Sequence, residues 1–186
     1  MPDPRRVAIL ISGRGSNMQA LIEQAEGYDV VLVASNKPAA PGLEWAKTAG
    51  LPTWAKDGAS LGREEFDRLL SGAIEDHQAG TIALAGFMRI LSPWFVEQWR
   101  GRIVNIHPSL LPKYQGLDTH ARALAAKDRM SGCSVHLVTE ELDAGEILGK
   151  ATVPIEPQDT PQSLEKRVLA AEHLLYPKVL SEFVRR

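Results

Sequence analysis

The chain has 186 residues, enough for one substantial domain with its own core. Hydrophobic residues make up 44% and charged residues 24%, the balance of a soluble globular protein, and a net charge of −2 argues against a broad basic face for nucleic acid. Cys133 is the single cysteine, which excludes an internal disulfide and fits a reducing compartment.

Taken in chain order, Met1 to Arg6 is too short for a signal peptide and leads into Val7–Ile11, an apolar run typical of a strand buried on both faces. Ser12–Asn17 (SGRGSN) is a glycine-containing turn, and Met18–Glu26 continues as a helix with Ser16 as a plausible cap. Tyr28–Ser35 reads as a strand, Pro41–Gly50 as a helix and Leu51–Trp54 as a short strand. Phe66, Leu69, Leu70, Ala73 and Ile74 have helical spacing within Arg63–Gln78, whose closing His77 is expected in solvent. Thr81–Ala85, Pro93–Trp99 and Arg102–Ile106 follow as strand, short helix and strand. This alternation predicts an α/β, Rossmann-like fold with a mostly parallel central sheet and helices on both faces. Beyond it, Leu110–Met130 holds turns and then a helical patch at His120–Lys127. Cys133–Val138 and Ile147–Pro154 suggest two antiparallel strands, a mixed C-terminal extension. Thr160–Phe183 is a long helix that Pro177 should interrupt or kink near Tyr176. We read residues 1–186 as a single domain, about 1–100 a nucleotide-binding half and about 101–186 a half carrying the chemistry. No run approaches the roughly 20 apolar residues of a membrane span, so a cytoplasmic protein is expected.

Backbone N–H groups at the start of a helix converge on an anion, and Gly15 permits close approach. Ser16 and Asn17 add side-chain donors. The turn lacks the Gly-Lys-Ser/Thr ending of a Walker loop, and Met18 stands where a dinucleotide fingerprint needs its third glycine. One phosphate is therefore the better guess, and a plain strand-to-helix turn is the alternative.

Asn-Ile-His-Pro-Ser (Asn105–Ser109) carries the chemistry most directly. Asn105 and His107 are two apart, so on a strand they share a face. Pro108 biases His107 toward an extended backbone. A carboxamide and an imidazole side by side are equipment for attack on a carbonyl carbon. Glu140, Glu141 and Asp143 supply nearby carboxylates, any of which would stabilise a charged His107. The same residues also suit a turn at Asp143–Gly145. His136, between Val135 and Leu137, either faces such a cluster or sits on the polar face of its strand. No His, Asp or Cys pair has recognised ligand spacing, so no metal is expected. Leu84–Pro93 exposes Phe87, Met88, Ile90 and Leu91 around Arg89, a flat apolar edge suited to a planar ligand or to core packing.

Four motifs in one order, Ser-Gly-x-Gly-Ser-Asn, Ala-Gly-Phe-Met-Arg-Ile-Leu, Asn-Ile-His-Pro-Ser-Leu-Leu-Pro and Leu-Asp-x-Gly, resemble those of the phosphoribosylglycinamide formyltransferases. These belong to the folate-dependent formyltransferases, and the resemblance runs from Val7 to about Tyr176. It implies transfer of the formyl group of 10-formyltetrahydrofolate, as co-substrate, to the amine of glycinamide ribonucleotide in purine biosynthesis. The implied catalytic set is Asn105, His107 and Asp143. Gly15, Ser16 and Asn17 would hold the substrate phosphate and Glu172 the ribose. The folate would meet Arg63, Met88, Arg89, Ile90, Leu91, Ile103, Asn105, Val138, Thr139, Glu140, Glu141, Leu142 and Asp143. The bond before Pro112 would be cis, and Lys113–Met130 suggests a movable lid. Gln115, Asp118 and Glu146 depart from the residues usual in that family. Its partners would be the ribonucleotide and the folate, with no nucleic acid and no membrane. A monomer and a homodimer are both left open. A formyl enzyme with another acceptor, or a noncatalytic nucleotide-binding module, are the competing readings.

Overall fold

The computed structural model describes residues 2–186; Met1, the first residue of the segment read as too short for a signal, lies outside them. Five strands, β1 (Arg6–Ile11), β2 (Asp29–Ser35), β3 (Thr53–Ala55), β4 (Thr81–Leu84) and β5 (Ile103–His107), run parallel. Two more, β6 (Met130–Leu137) and β7 (Ile147–Pro154), add to the β5 edge antiparallel, giving the order β3-β2-β1-β4-β5-β6-β7. This is the mostly parallel sheet and mixed extension read from the alternation of elements. The order reverses between β1 and β4, and the crevice beyond such a switch point is where open α/β sheets place ligands.

Strand alternation separates two cores. Val7, Ile9, Ile11, Val104 and Ile106 face one side, against α1 (Ser16–Glu23), α2 (Pro41–Thr48) and α6 (Pro161–Phe183). Ala8, Leu10, Ile82, Leu84 and Ile103 face the other, against α3 (Arg63–Asp76) and α4 (Pro93–Gln98). Cys133 lies in the first core at 0% exposure, where burial pushes its thiol up to about 12. Ile103 closes the second core, so Asn105 and His107, next on the same face, come at its end.

Several expected boundaries move. The first helix starts at Ser16 and ends at Glu23; Gly15, at φ 73°, is its cap, and no side-chain cap is made there. A left-handed backbone at that position suits glycine. The helical patch after the fifth strand is α5 (Thr119–Ala125), capped by Asp118, also left-handed. His77 is half-buried rather than solvated, its Nδ1 bonded to the Ala73 carbonyl.

Pro177 does not interrupt the last helix, which is continuous over its 23 residues. A proline frees the carbonyl four residues back. Here that carbonyl belongs to His173, and it accepts a hydrogen bond from Gln24 Nε2 at 3.1 Å. The residue after α1 thus replaces the missing intrahelical bond. Thr160 and Ser163 form a reciprocal capping box at the start of α6. Immediately before Pro177, Tyr176 donates its hydroxyl to the Leu84 and Val104 carbonyls, pinning the helix to β4 and β5. Among the described residues, no helix is long and apolar enough to cross a membrane.

Candidate active site

Three chain segments meet beyond the ends of β1, β4 and β5. Ser12 ties the first two: its N–H donates to the Gly86 carbonyl and its Oγ accepts from Met88 N–H at 2.7 Å. The third is held by Ser134 on β6, the cross-strand partner of His107. Its hydroxyl donates to the Ser109 carbonyl and accepts from Leu111 N–H, which fixes the turn after His107. The Leu111–Pro112 bond is cis, as the resemblance implied.

His107 is buried at 6% exposure. Its Nδ1 lies 3.4 Å from Asp143 Oδ2, and its Nε2 lies 2.9 Å from the Tyr114 carbonyl oxygen. Both ring nitrogens therefore face acceptors, an arrangement that a ring protonated on both satisfies. Among the three carboxylates open from sequence, Asp143 is the one that reaches His107, while Glu140 and Glu141 are exposed. Asp143 reaches inward from a left-handed backbone, at φ 50°. Its Oδ2 also accepts from Gly116 N–H at 2.9 Å, and its Oδ1 lies 3.5 Å from His136 Nε2. Burial works to raise the Asp143 carboxyl, but the His136 bond, the Gly116 N–H and the neighbouring rings outweigh it and hold it below its ordinary value.

The loop that delivers Asp143 needs Gly145. A Cβ there would lie 1.9 Å from the Leu137 carbonyl oxygen. That closeness lets the Glu146 carbonyl accept from Leu137 N–H and turns the chain back into β7. The β6–β7 register also shifts between Val135 and His136. Such an irregularity re-aims a side chain. His136 is cross-strand partner to Asn105 and sits 3.2 Å from its Nδ2. Of the two placements open from sequence, it therefore takes the one facing the cluster.

The glycine turn presents the first N–H groups of α1, with no acidic residue in that turn. Asn17 is not a free donor, because its Nδ2 donates to Glu172 Oε2 at 2.7 Å. The turn and the last helix, 155 residues apart, are thereby joined. Burial pushes the Glu172 carboxyl up to about 7 despite that bond. Asn17 Oδ1 is buried without a partner.

On the other flank, Met88 is 72% and Ile90 64% exposed, whereas Leu91 is not exposed but buried in the second core, the packing alternative for this segment. Leu91 follows the core because Ser92, next to it, is anchored to buried Asp67 through its N–H. Phe87 and Val138 pack on that same core beside Ile103. The Arg89 side chain is turned away, its guanidinium donating to the Gly58, Leu61 and Gly62 carbonyls. This holds the start of α3, and so exposed Arg63, next to the 88–91 segment. Thr139 and Leu142 are exposed on the loop before and after the two glutamates. The sequence had singled out neither Ser12 as the tie between segments nor the Tyr114 carbonyl; both act through backbone contacts between distant segments, which no local pattern records.

A hollow of about 480 Å³ lies between Leu110, Pro112, Lys113, Asp128 and Lys150, but no member of the cluster lines it. Among the described residues, no group of three or more His, Cys, Asp or Glu side chains is placed to hold a metal ion.

The profile of the formyl transferase family matches residues 5–180. The chain is 50% identical to the trifunctional purine biosynthetic protein adenosine-3 of Drosophila melanogaster over 97% of its own length, and spans 14% of that protein. It is 45% identical to the phosphoribosylglycinamide formyltransferase of Escherichia coli, covering 95% of this chain and 86% of that one. The structure of the phosphoribosylglycinamide formyltransferase of Brucella melitensis superposes with a TM-score of 0.92 at 46% identity, covering 97% of this chain and 96% of the other.

Proposed function

The chain belongs to the formyl transferase family, and we propose that it moves the formyl group of 10-formyltetrahydrofolate onto the amine of glycinamide ribonucleotide. The products are formylglycinamide ribonucleotide and tetrahydrofolate, and the step belongs to purine biosynthesis. Its similarity to the E. coli enzyme, over most of both chains, supports this reading. The observation that carries it is the contact of His107 with Asp143 at the end of β5, beside Asn105.

The substrate amine attacks the formyl carbon. A C–N bond forms, the carbonyl oxygen gains charge, and the bond from carbon to the folate nitrogen then breaks. The amine gives up one proton and the leaving nitrogen receives one. Asn105 donates to the formyl oxygen. His107 exchanges its Tyr114 hydrogen bond for one to the developing oxyanion, while Asp143 holds the ring charged. Asp143 also lies where it can relay the proton, directly or through a water.

The first N–H groups of α1 at Gly15, Ser16 and Asn17 take the phosphate, and Glu172 takes the ribose hydroxyls. Phe87, Ile103 and Val138 offer the apolar wall a pterin requires, with Met88 and Ile90 exposed at its rim. The backbone of residues 88–91 and 139–143 supplies polar contacts to the pterin, and Arg63 meets the glutamate tail. Residues up to about 100 bring the phosphate turn and one flank of the folate slot, and 101–186 bring the catalytic groups, the other flank and Glu172, as one domain.

Tetrahydrofolate absorbance on mixing the chain with both substrates tests the reading; no acceptor-dependent signal would sink it. His107→Ala should lower kcat by about 10²–10³, and near-normal turnover in a folded variant would refute its role.

A further inference from the structure

His136 stands outside the set of Asn105, His107 and Asp143, yet it contacts two of its members. It is buried, at 1% exposure. Its Nε2 lies 3.2 Å from Asn105 Nδ2 and 3.5 Å from Asp143 Oδ1. Its Nδ1 lies 2.8 Å from the Leu137 carbonyl oxygen. A carbonyl oxygen only accepts, so Nδ1 carries a proton. What Nε2 carries then decides which way the Asn105 carboxamide turns.

A neutral ring would leave Nε2 bare. It would accept from Asn105 Nδ2, and Asn105 Oδ1 would be the atom left for the formyl oxygen. Two acceptors would then face each other. The bare nitrogen would also set its lone pair against the Asp143 carboxylate. A ring protonated on both nitrogens removes both conflicts. Nε2–H then donates to Asp143 Oδ1 and to Asn105 Oδ1, and the carboxamide, turned end for end within the same outline, offers Nδ2–H to the substrate. This second arrangement leaves no donor facing a donor and no acceptor facing an acceptor in the cluster.

We propose that His136 is a positioning residue: protonated on both ring nitrogens, it holds the Asn105 carboxamide so that its N–H faces the formyl oxygen. The proposal rests on the formyl-transfer reading above. The groups that face His136 are Asn105 on β5, Asp143 on the returning loop and the Leu137 carbonyl, with His107 across Asp143. One carboxylate thus faces two rings, His107 on the oxyanion side and His136 on the amide side.

Steady-state kinetics of the full chain test this. His136→Met should lower kcat on the order of 10² while KM for glycinamide ribonucleotide stays within about twofold. His136→Gln, whose amide N–H can stand in for Nε2–H, should recover most of that loss. In an Asn105→Ala background, His136→Met should cost nothing further, because its effect runs through Asn105. Multiplying defects in the double variant, or a folded Gln variant as slow as Met, would overturn the proposal. Nitrogen-15 NMR of the unaltered protein covers variants that fail to fold: both ring nitrogens of His136 should be protonated at neutral pH, and a bare Nε2 would overturn the proposal. Absence of acceptor-dependent turnover in the unaltered chain is a different failure, that of the formyl-transfer reading itself.

Discussion

Glu172 and Asp143 are both buried carboxyls, and their environments push them in opposite directions. Glu172 has one donor, Asn17 Nδ2, and burial wins, lifting it to about 7. Asp143 has the Gly116 N–H and two imidazoles, and these win over burial. The two therefore link to stability with opposite signs. Folded Glu172 keeps a proton that the unfolded chain releases above its ordinary value of 4.5, so its contribution is lost as pH rises toward and through about 7. The slope from this group is at most about 1.4 kcal/mol per pH unit. Glu172→Gln should flatten that decline, read from urea midpoints between pH 5 and 8 (roughly the window between the two values); an unchanged slope would count against it. Asp143 contributes stability above its unfolded value, which is lost as pH falls through its folded one. In catalysis, Asp143→Asn removes the carboxylate that faces His107 and His136, so kcat should fall by about 10²–10³. Near-normal turnover in a folded variant would separate the residues. The Asn105–His107 face was legible because a period of two and Pro108 act locally. The choice of Asp143 among three carboxylates was not, because it depends on how the loop closes over Gly116 and Gly145.

Helix α6 shows how one element can break a local rule through contacts elsewhere. Its proline removes a backbone donor, and Gln24 from α1 restores the bond to His173. Gln24→Ala should cost about 0.5–1 kcal/mol. With Pro177→Ala present, the same change should cost close to nothing, since a new N–H reaches the His173 carbonyl. Equal costs in both backgrounds, measured by denaturant titration, would refute the compensation. Tyr176 offers a second check, since its hydroxyl serves carbonyls of both β4 and β5. Tyr176→Phe should destabilise by about 1–3 kcal/mol through buried carbonyls losing their donor; a change within error would show that those carbonyls are satisfied without it. The sequence pattern marked the helix and its proline correctly and allowed an interruption or a kink there; the helix is not interrupted, and the compensating residue, more than a hundred positions away, was beyond any local pattern.

At the scale of the whole molecule, the alternation of apolar runs and helical spacing was enough to read the class of fold and the change of character after the fifth strand. Strand order and the meeting of Ser12, Gly86 and His107 at one end required the coordinates, because parallel pairing joins residues far apart in sequence. One continuous sheet carries both flanks of the cleft, so unfolding followed by calorimetry, fluorescence and circular dichroism should give a single coincident transition. Two separated transitions would contradict the one-domain reading. Saturation with either substrate should move that whole transition, by about 2.7 kcal/mol at 100 times its Kd. The position of Cys133 makes such measurements possible without a probe. Its thiol is the only one in the sequence, has 0% exposure and is held protonated by its surroundings. A thiol reagent therefore finds nothing to react with until the sheet itself opens. The rate of labelling then counts openings of the native molecule, in the presence or absence of each substrate, on an unaltered chain.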